Sequence, residues 1–186
     1  MAYIFDPDTL QDICRRNLEL PLEERIEAIT DELDKQYPSR IRRKKRWGFN
    51  ISGGAMGMMT IMYASLTEYL VMFGTPTGTE GYTGRHVASH VYDIMLDGEM
   101  WCYTRGQFER AVYKAGDMAY LKKGFDKGYR IRDHAWMLEY CRGIIPTMFP
   151  FAVLGSLMHT LDFRSTREQV WDFSRIAVRE LLRGKF

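Results

Sequence analysis

The chain has 186 residues, 46% of them hydrophobic, and a formal net charge of +2. That length fits one domain with a sizeable core, and so small a charge carries no general nucleic-acid footprint. Three cysteines (Cys14, Cys102, Cys141), an odd number without C-x-x-C spacing, argue against a disulfide framework and a structural zinc site.

Asp6-Pro7-Asp8 opens a predicted helix running to about Leu18, with acidic residues in its first turn. Pro21-Leu22-Glu23-Glu24 opens a second, to about Gln36, whose Ile26, Ile29 and Leu33 recur at helical spacing. Met1–Asp8 contains no apolar stretch of the signal-peptide kind. A basic run follows, Arg40, Arg42, Arg43, Lys44, Lys45 and Arg46, then Trp47. It reads either as a solvated turn or as a contact with an anionic membrane surface. The apolar segment from Ala55 to Met72 reads as a buried helix with Glu68 as its single charge, a structurally paired carboxylate.

From Gly74 the texture changes. Arg85–Leu96, Met100–Thr104, Phe108–Tyr113, Asp117–Leu121, Gly128–Arg132 and Ala135–Arg142 read as short strands between turn residues, a sandwich or barrel. Helical periodicity returns over Pro146–Thr160 and Thr166–Leu182. The sequence therefore predicts a single α+β domain over 1–186, with helices within 1–74, a β unit over 82–143 and two C-terminal helices over 146–182. Neither long apolar run, Ile51–Phe73 or Gly143–Leu161, is uninterrupted enough to read as a spanning helix.

Within Trp136–Pro146, one carboxylate interrupts an apolar strand. Residues two apart share a strand face, so Met137, Glu139 and Cys141 go together, as do Val91, Asp93 and Met95. If both strands line one barrel, two acids meet in an apolar cavity, where like-charge repulsion keeps them from ionising together. That supplies a general acid and a general base. The alternative is two buried acids, each satisfied by backbone or by an arginine such as Arg142. His86 and His90 lack a convincing third ligand, and no metal site is expected.

Several runs resemble the fungal sterol C-8 isomerase and sigma-1 receptor family. They are Gly53-Gly54-Ala55-Met56-Gly57, Tyr63-Ala64-Ser65-Leu66-Thr67-Glu68-Tyr69-Leu70, Phe73-Gly74-Thr75, Gly78-Thr79-Glu80-Gly81-Tyr82-Thr83-Gly84, Trp136-Met137-Leu138-Glu139-Tyr140, Arg142-Gly143-Ile144-Ile145-Pro146 and Leu161-Asp162. The similarity runs from Phe5-Asp6-Pro7 to Gly184-Lys185-Phe186. The resemblance implies a cupin-like β-barrel enclosing an apolar ligand cavity, closed by two C-terminal helices that make peripheral membrane contact, and a homotrimer. It implies a cofactor-independent shift of a sterol double bond from position 8 to position 7. Glu139 becomes a central acid, oriented by Tyr69, and the cavity wall maps onto Met59, Tyr69, Phe73, Trp136, Met148, Phe149, Ala152 and Phe173.

This sequence departs from the family in three places. The family's N-terminal transmembrane helix is not in the sequence, which leaves either a truncated chain or one more soluble than its relatives; the resemblance implies an endoplasmic-reticulum membrane association, the missing segment a cytoplasmic one. The fungal Ala-Asp-Asp segment reads Ala88-Ser89-His90-Val91 here, leaving the second acid as Asp93 or its role taken over by His90. An aspartate expected on the first C-terminal helix is Gly155. Two alternatives accompany the sterol reading: an isomerase or cyclase of another hydrophobic polycycle on the same fold, and a non-catalytic binder of sterols or hydrophobic amines.

Overall fold

The computed structural model of the protein describes residues 3–185; Met1, Ala2 and Phe186 lie outside them. Two helices come first, α1 (Pro7–Arg16) and α2 (Leu22–Gln36). Asp6 caps α1, its carboxylate accepting the Thr9 N–H at 2.9 Å, and Pro7 occupies the first turn, where its missing donor costs nothing. Eight strands follow: β1 (Gly48–Ser52), β2 (Ala55–Ala64), β3 (Glu68–Thr75), β4 (Thr79–Tyr82), β5 (Ser89–Tyr103), β6 (Ala111–Lys114), β7 (Met118–Leu121) and β8 (Gly128–Gly143). A 3-10 turn (Ile145–Met148) leads into α3 (Phe149–Thr160), and α4 (Phe163–Leu182) ends the described chain.

The expected helix over Ala55–Met72 is instead most of a β-hairpin, β2 and β3, so helices end at Gln36 and the sheet begins at Gly48, not at residue 82. The reason is burial on both faces. Met59, Ile61, Tyr69, Val71 and Phe73 face an internal cavity, while Met62, Tyr63, Leu70 and Met72 pack against α1 and α2. A strand covered on both sides loses its polar alternation and reads like a buried helix. The other expected strands are present with shifted bounds: Phe108–Tyr113 and Asp117–Leu121 shrink to β6 and β7, and the remaining four form two long strands. Arg85–Leu96 and Met100–Thr104 merge into the 15-residue β5, and Gly128–Arg132 and Ala135–Arg142 into the 16-residue β8.

All strands belong to one antiparallel sheet in the order β1-β2-β3-β8-β5-β6, with β4 on β8 and β7 on β5. The sheet is curled, so that side chains from β1, β2, β3, β5 and β8 reach one cavity, which α3 and α4 cap. Its other face carries the main core, where Leu10, Ile13, Ile29 and Leu33 meet Ile94, Leu96, Leu138 and Tyr140. Each such fully buried aliphatic side chain contributes about 1.5–3 kcal/mol.

Glu68 is fully buried and structurally paired, as expected. It accepts the Ile4 N–H (2.8 Å), the Phe5 N–H (3.4 Å) and the Tyr140 hydroxyl (2.9 Å), and pairs with Lys185 at 2.8 Å. The basic run, expected to face solvent or a membrane, keeps Arg43, Lys44 and Arg46 exposed while making ion pairs within the chain. Arg40 meets the buried Glu180, Arg42 and Arg46 meet Asp172, Arg43 meets Asp31 and Asp34, and Lys45 meets Glu27. The segment thus fastens α4 and α2 to the sheet.

Candidate active site

Strand parity builds the site. Along β8, Tyr129, Met137 and Glu139 line the cavity; along β5, Val91 and Asp93; along β3, Tyr69, Val71 and Phe73. Asp93 and Glu139 stand directly opposite each other in the β5–β8 ladder. Side chains of such a pair leave the sheet on one face, with Cβ atoms about 4.5–5.5 Å apart. The sequence argument for two acids in one apolar cavity is therefore met in the structure.

Each acid has a different partner. The Tyr69 hydroxyl donates to Glu139 Oε1 at 2.5 Å. Lys127 Nζ donates to Asp93 Oδ2 at 2.8 Å, and both side chains are buried. Burial, and then the neighbouring Asp93 carboxylate, raise Glu139 to about 7, against the smaller opposing effects of the Tyr69 hydrogen bond and Lys127. Burial is the largest single influence on Lys127 and works against its charge, yet Asp93 together with the smaller effects of Cys102 and Tyr113 outweighs it, so Lys127 titrates above the ordinary lysine range. Burial and the Glu139 carboxylate push the Tyr69 phenol well above its usual range, which keeps it a donor. The outcome is a proton-holding Glu139 beside an ion-paired Asp93.

The remaining wall is apolar: Met59, Ile61, Phe73, Met100, Leu121, Met137 and Ile145 from the sheet side, and Met148, Phe149, Phe151, Ala152, Val153, Val170 and Phe173 from the capping segment. Seven of the eight wall residues expected from the resemblance are here. Trp136 is the exception: it lies on the other face of β8, edge-on to Trp47 with ring centroids 5.5 Å apart, over the glycine at 74. Met137 and Glu139 face the cavity, so parity sends Trp136 outward. His90 is likewise turned away, stacked on Tyr120 with its Nδ1 2.6 Å from the Tyr120 hydroxyl. The histidine that does line the cavity is His86, edge-on to Phe151; burial lowers it below the ordinary histidine range.

Lys127 was missing from the sequence-derived site. Its signal was the odd-numbered series on β8, which extends back through Tyr129 to 127. Two links fix it there: the Lys127 N–H donates to the Thr83 hydroxyl at 3.0 Å, and the Thr83 N–H to the Lys127 carbonyl at 3.0 Å. All three cysteines are buried and unpaired; burial raises Cys102 to about 11, and Cys14 and Cys141 further, which leaves no thiolate nucleophile.

The capping helices are tied to β1. Asn50 Nδ2 donates to the Ala152 carbonyl and to Gln169 Oε1, both at 3.1 Å, and the Ile51 N–H donates to the Ser156 hydroxyl at 2.9 Å. Gly155 permits this closeness: a Cβ there would lie 2.2 Å from the Ile51 carbonyl oxygen. The aspartate expected at this position would not fit without moving α3.

The family model described as "ERG2 and Sigma1 receptor like protein" matches residues 1–185. The chain belongs to this family. The C-8 sterol isomerase ERG2 of Gibberella zeae is 42% identical over 183 residues, covering 97% of this chain and 76% of its own. The C-8 sterol isomerase erg2 of Aspergillus fumigatus is 39% identical, covering 99% and 78%. The sigma non-opioid intracellular receptor 1 of Gallus gallus is 33% identical, covering 87% and 73%. Among solved structures, an RmlC-like cupin from Shewanella frigidimarina aligns with 54% of this chain and 85% of its own at 21% identity and a TM-score of 0.44. A predicted oxalate decarboxylase from Thermotoga maritima aligns with 55% and 97% at 15% identity and a TM-score of 0.45.

Proposed function

We propose that this protein isomerises a double bond in a polycyclic isoprenoid, most simply a sterol 8-ene to the 7-ene. The observation that carries the reading is the pair of opposed carboxyl groups, Glu139 and Asp93, in an apolar cavity. Glu139 protonates the alkene, the carbocation sits in a site walled by aromatic and methionine side chains, and Asp93 removes a proton from a neighbouring carbon. A carbocation requires exclusion of water and fixed negative or π-electron density nearby, which Asp93, Tyr69, Phe73 and Phe173 supply. The Tyr69 hydroxyl orients Glu139.

The relatives named as receptors raise a second reading, a non-catalytic binder of hydrophobic amines. A buried cationic ligand needs an unmatched anion. Here the Asp93 charge is matched by Lys127, and Glu139 holds a proton below about pH 7, which favours acid–base chemistry. Incubating purified protein with an 8-ene sterol at about pH 6 should yield the 7-ene product by mass spectrometry. Because the acid form of Glu139 is required, the rate should fall as pH rises through about 7. Tight binding of a cationic amphiphile without any turnover would instead establish the binder.

The capping helices also fit a lipid surface. Helix α3 contains no Asp, Glu, Lys or Arg, and Leu154, Met158, Leu161, Phe163 and Trp171 are exposed along α3, α4 and their junction. Among the described residues no helix is long and apolar enough to cross a membrane, so contact through this face would be interfacial. The protein should co-sediment with phosphatidylcholine vesicles, and Met158→Glu with Trp171→Glu should abolish co-sedimentation while leaving the far-UV spectrum unchanged. Equal sedimentation of the double variant would exclude this face.

A further inference from the structure

The acid–base reading leaves one buried charged group without a task. Lys127 is 6% exposed and directs its ammonium to Asp93 rather than to solvent. A buried ion pair is weak evidence for stability, because desolvating two charges offsets most of their attraction. Its place is also specific. It touches one carboxyl group of the dyad and not the other: Asp93 has the ammonium, Glu139 has only the neutral Tyr69 hydroxyl.

We propose that Lys127 is the positioning residue that gives the dyad its direction, fixing Asp93 as the base and Glu139 as the acid, and returning the proton to Glu139 after each turnover. The proposal rests on the acid–base reading above. In the forward step the Glu139 O–H bond breaks and a C–H bond forms at one alkene carbon. The cation then loses a proton from an adjacent carbon to an Asp93 oxygen, and that C–H electron pair becomes the new double bond. The substrate gains one proton and loses one, and nothing is oxidised or reduced. The dyad, however, ends reversed, with the proton on Asp93. The buried ammonium 2.8 Å from Asp93 has its ion pair only with a carboxylate there, so the proton passes to Glu139, directly opposite in the ladder, and the site is reset without a proton from solvent.

The titratable side chains around this ammonium and its dyad lie on β5, β6 and β8 and before β5; on β3 Tyr69 bonds Glu139, and Asp126, next in the chain, pairs with Arg85 and Arg105 instead. Asp93 and Cys102 lie on β5, Tyr113 on β6, Tyr129 and Glu139 on β8, and His86 precedes β5. The capping helices contribute only uncharged cavity side chains: Phe149, Phe151, Ala152 and Val153 from α3, and Gln169, Val170 and Phe173 from α4. Lys127 is the one cation lining the cavity among the described residues.

Infrared difference spectra of the full chain test the assignment without requiring turnover. At about pH 6, wild type should show a protonated-carboxyl C=O band that is lost in Glu139→Gln and kept in Asp93→Asn. In Lys127→Met a second such band should appear, and Asp93→Asn added to that variant should remove it. A wild-type band lost in Asp93→Asn instead, or no new band in Lys127→Met, overturns the proposal. Lys127→Arg keeps the charge and should keep the wild-type spectrum even if Lys127→Met does not fold; a spectrum with both carboxyl groups protonated in Lys127→Arg also overturns it. On an 8-ene sterol, Lys127→Met should lower kcat at least ~100-fold with KM within about threefold, and shift the acidic limb of the rate profile upward. Lys127→Arg should recover most of kcat. Wild-type kinetics in Lys127→Met, with Glu139→Gln inactive, removes Lys127 from the mechanism and leaves the isomerase reading standing. The expected spectra without sterol turnover defeat the isomerase reading and leave the polarity of the dyad intact.

Discussion

Replacing Glu139 with Gln is expected to abolish isomerisation while preserving the fold. Gln matches the shape, and its carbonyl oxygen can still accept the Tyr69 hydroxyl, but it carries no proton that an alkene can take. General acid catalysis contributes roughly 100–10,000-fold, and protonating an unactivated alkene sits at the demanding end, so turnover should fall at least ~1,000-fold. Burial is what holds the proton on Glu139, and this gives the variant a second signature. The native state retains a proton that the unfolded chain releases at an ordinary glutamate value. Wild-type stability from this group is thus greatest at low pH and declines as pH rises from about 4.5 to about 7. The decline amounts to about 3 kcal/mol if the whole shift is realised. Glu139→Gln lacks that dependence, so its melting temperature relative to wild type should rise between pH 5 and pH 8 (values spanning the interval over which the group titrates). Near-normal turnover would remove Glu139 from the chemistry, and a parallel pH dependence of melting would show that it is not held neutral.

Glu68→Ala is expected to do the reverse, harming stability without touching the cavity. The carboxylate is fully buried and serves two backbone amides, the Tyr140 hydroxyl and Lys185. Truncating one member of such a buried charged network typically costs about 3–5 kcal/mol. For a chain of this size that corresponds to a melting temperature lower by about 10 °C. Any protein that remains folded should retain near-normal kcat, since Glu68 lies outside the cavity. Calorimetry and a turnover assay on the same sample separate the two effects. An unchanged melting temperature would mean that the network relaxes around the loss.

These two glutamates illustrate what could be read from residues alone. Both interrupt apolar runs, and both were legible as buried carboxylates needing partners. Their distinction came from parity. Glu139 falls on the odd-numbered face of β8 with Met137, and Glu68 opens β3 on the side facing the N-terminal segment. The same rule, applied consistently, would have excluded Trp136, which is one residue from Glu139, and His90, which is an odd number from Asp93. It would also have suggested Lys127 through Tyr129. What parity could not supply was strand identity for Ala55–Met72, because a segment buried on both faces carries no alternation to read. The ion pairs of Arg40, Arg42 and Arg46 were also illegible. Their partners Asp172 and Glu180 lie more than a hundred positions away in sequence, and no local pattern encodes such a distance.

The clasp at Glu68 has a consequence for how the chain is made. Its amide partners precede it by about sixty positions, while Lys185 follows it by 117. A ribosome adding about 5–20 residues per second takes roughly ten seconds to travel from Glu68 to Lys185. Throughout that interval the strand pair β3–β8 cannot close on a fully matched carboxylate, nor can α4 fasten the basic segment that preceded it. Contacts of such long sequence separation slow folding. Until α4 has been made, the cavity face of the sheet stays uncovered and apolar, and that interval, rather than the finished fold, is where the chain is most open to aggregation.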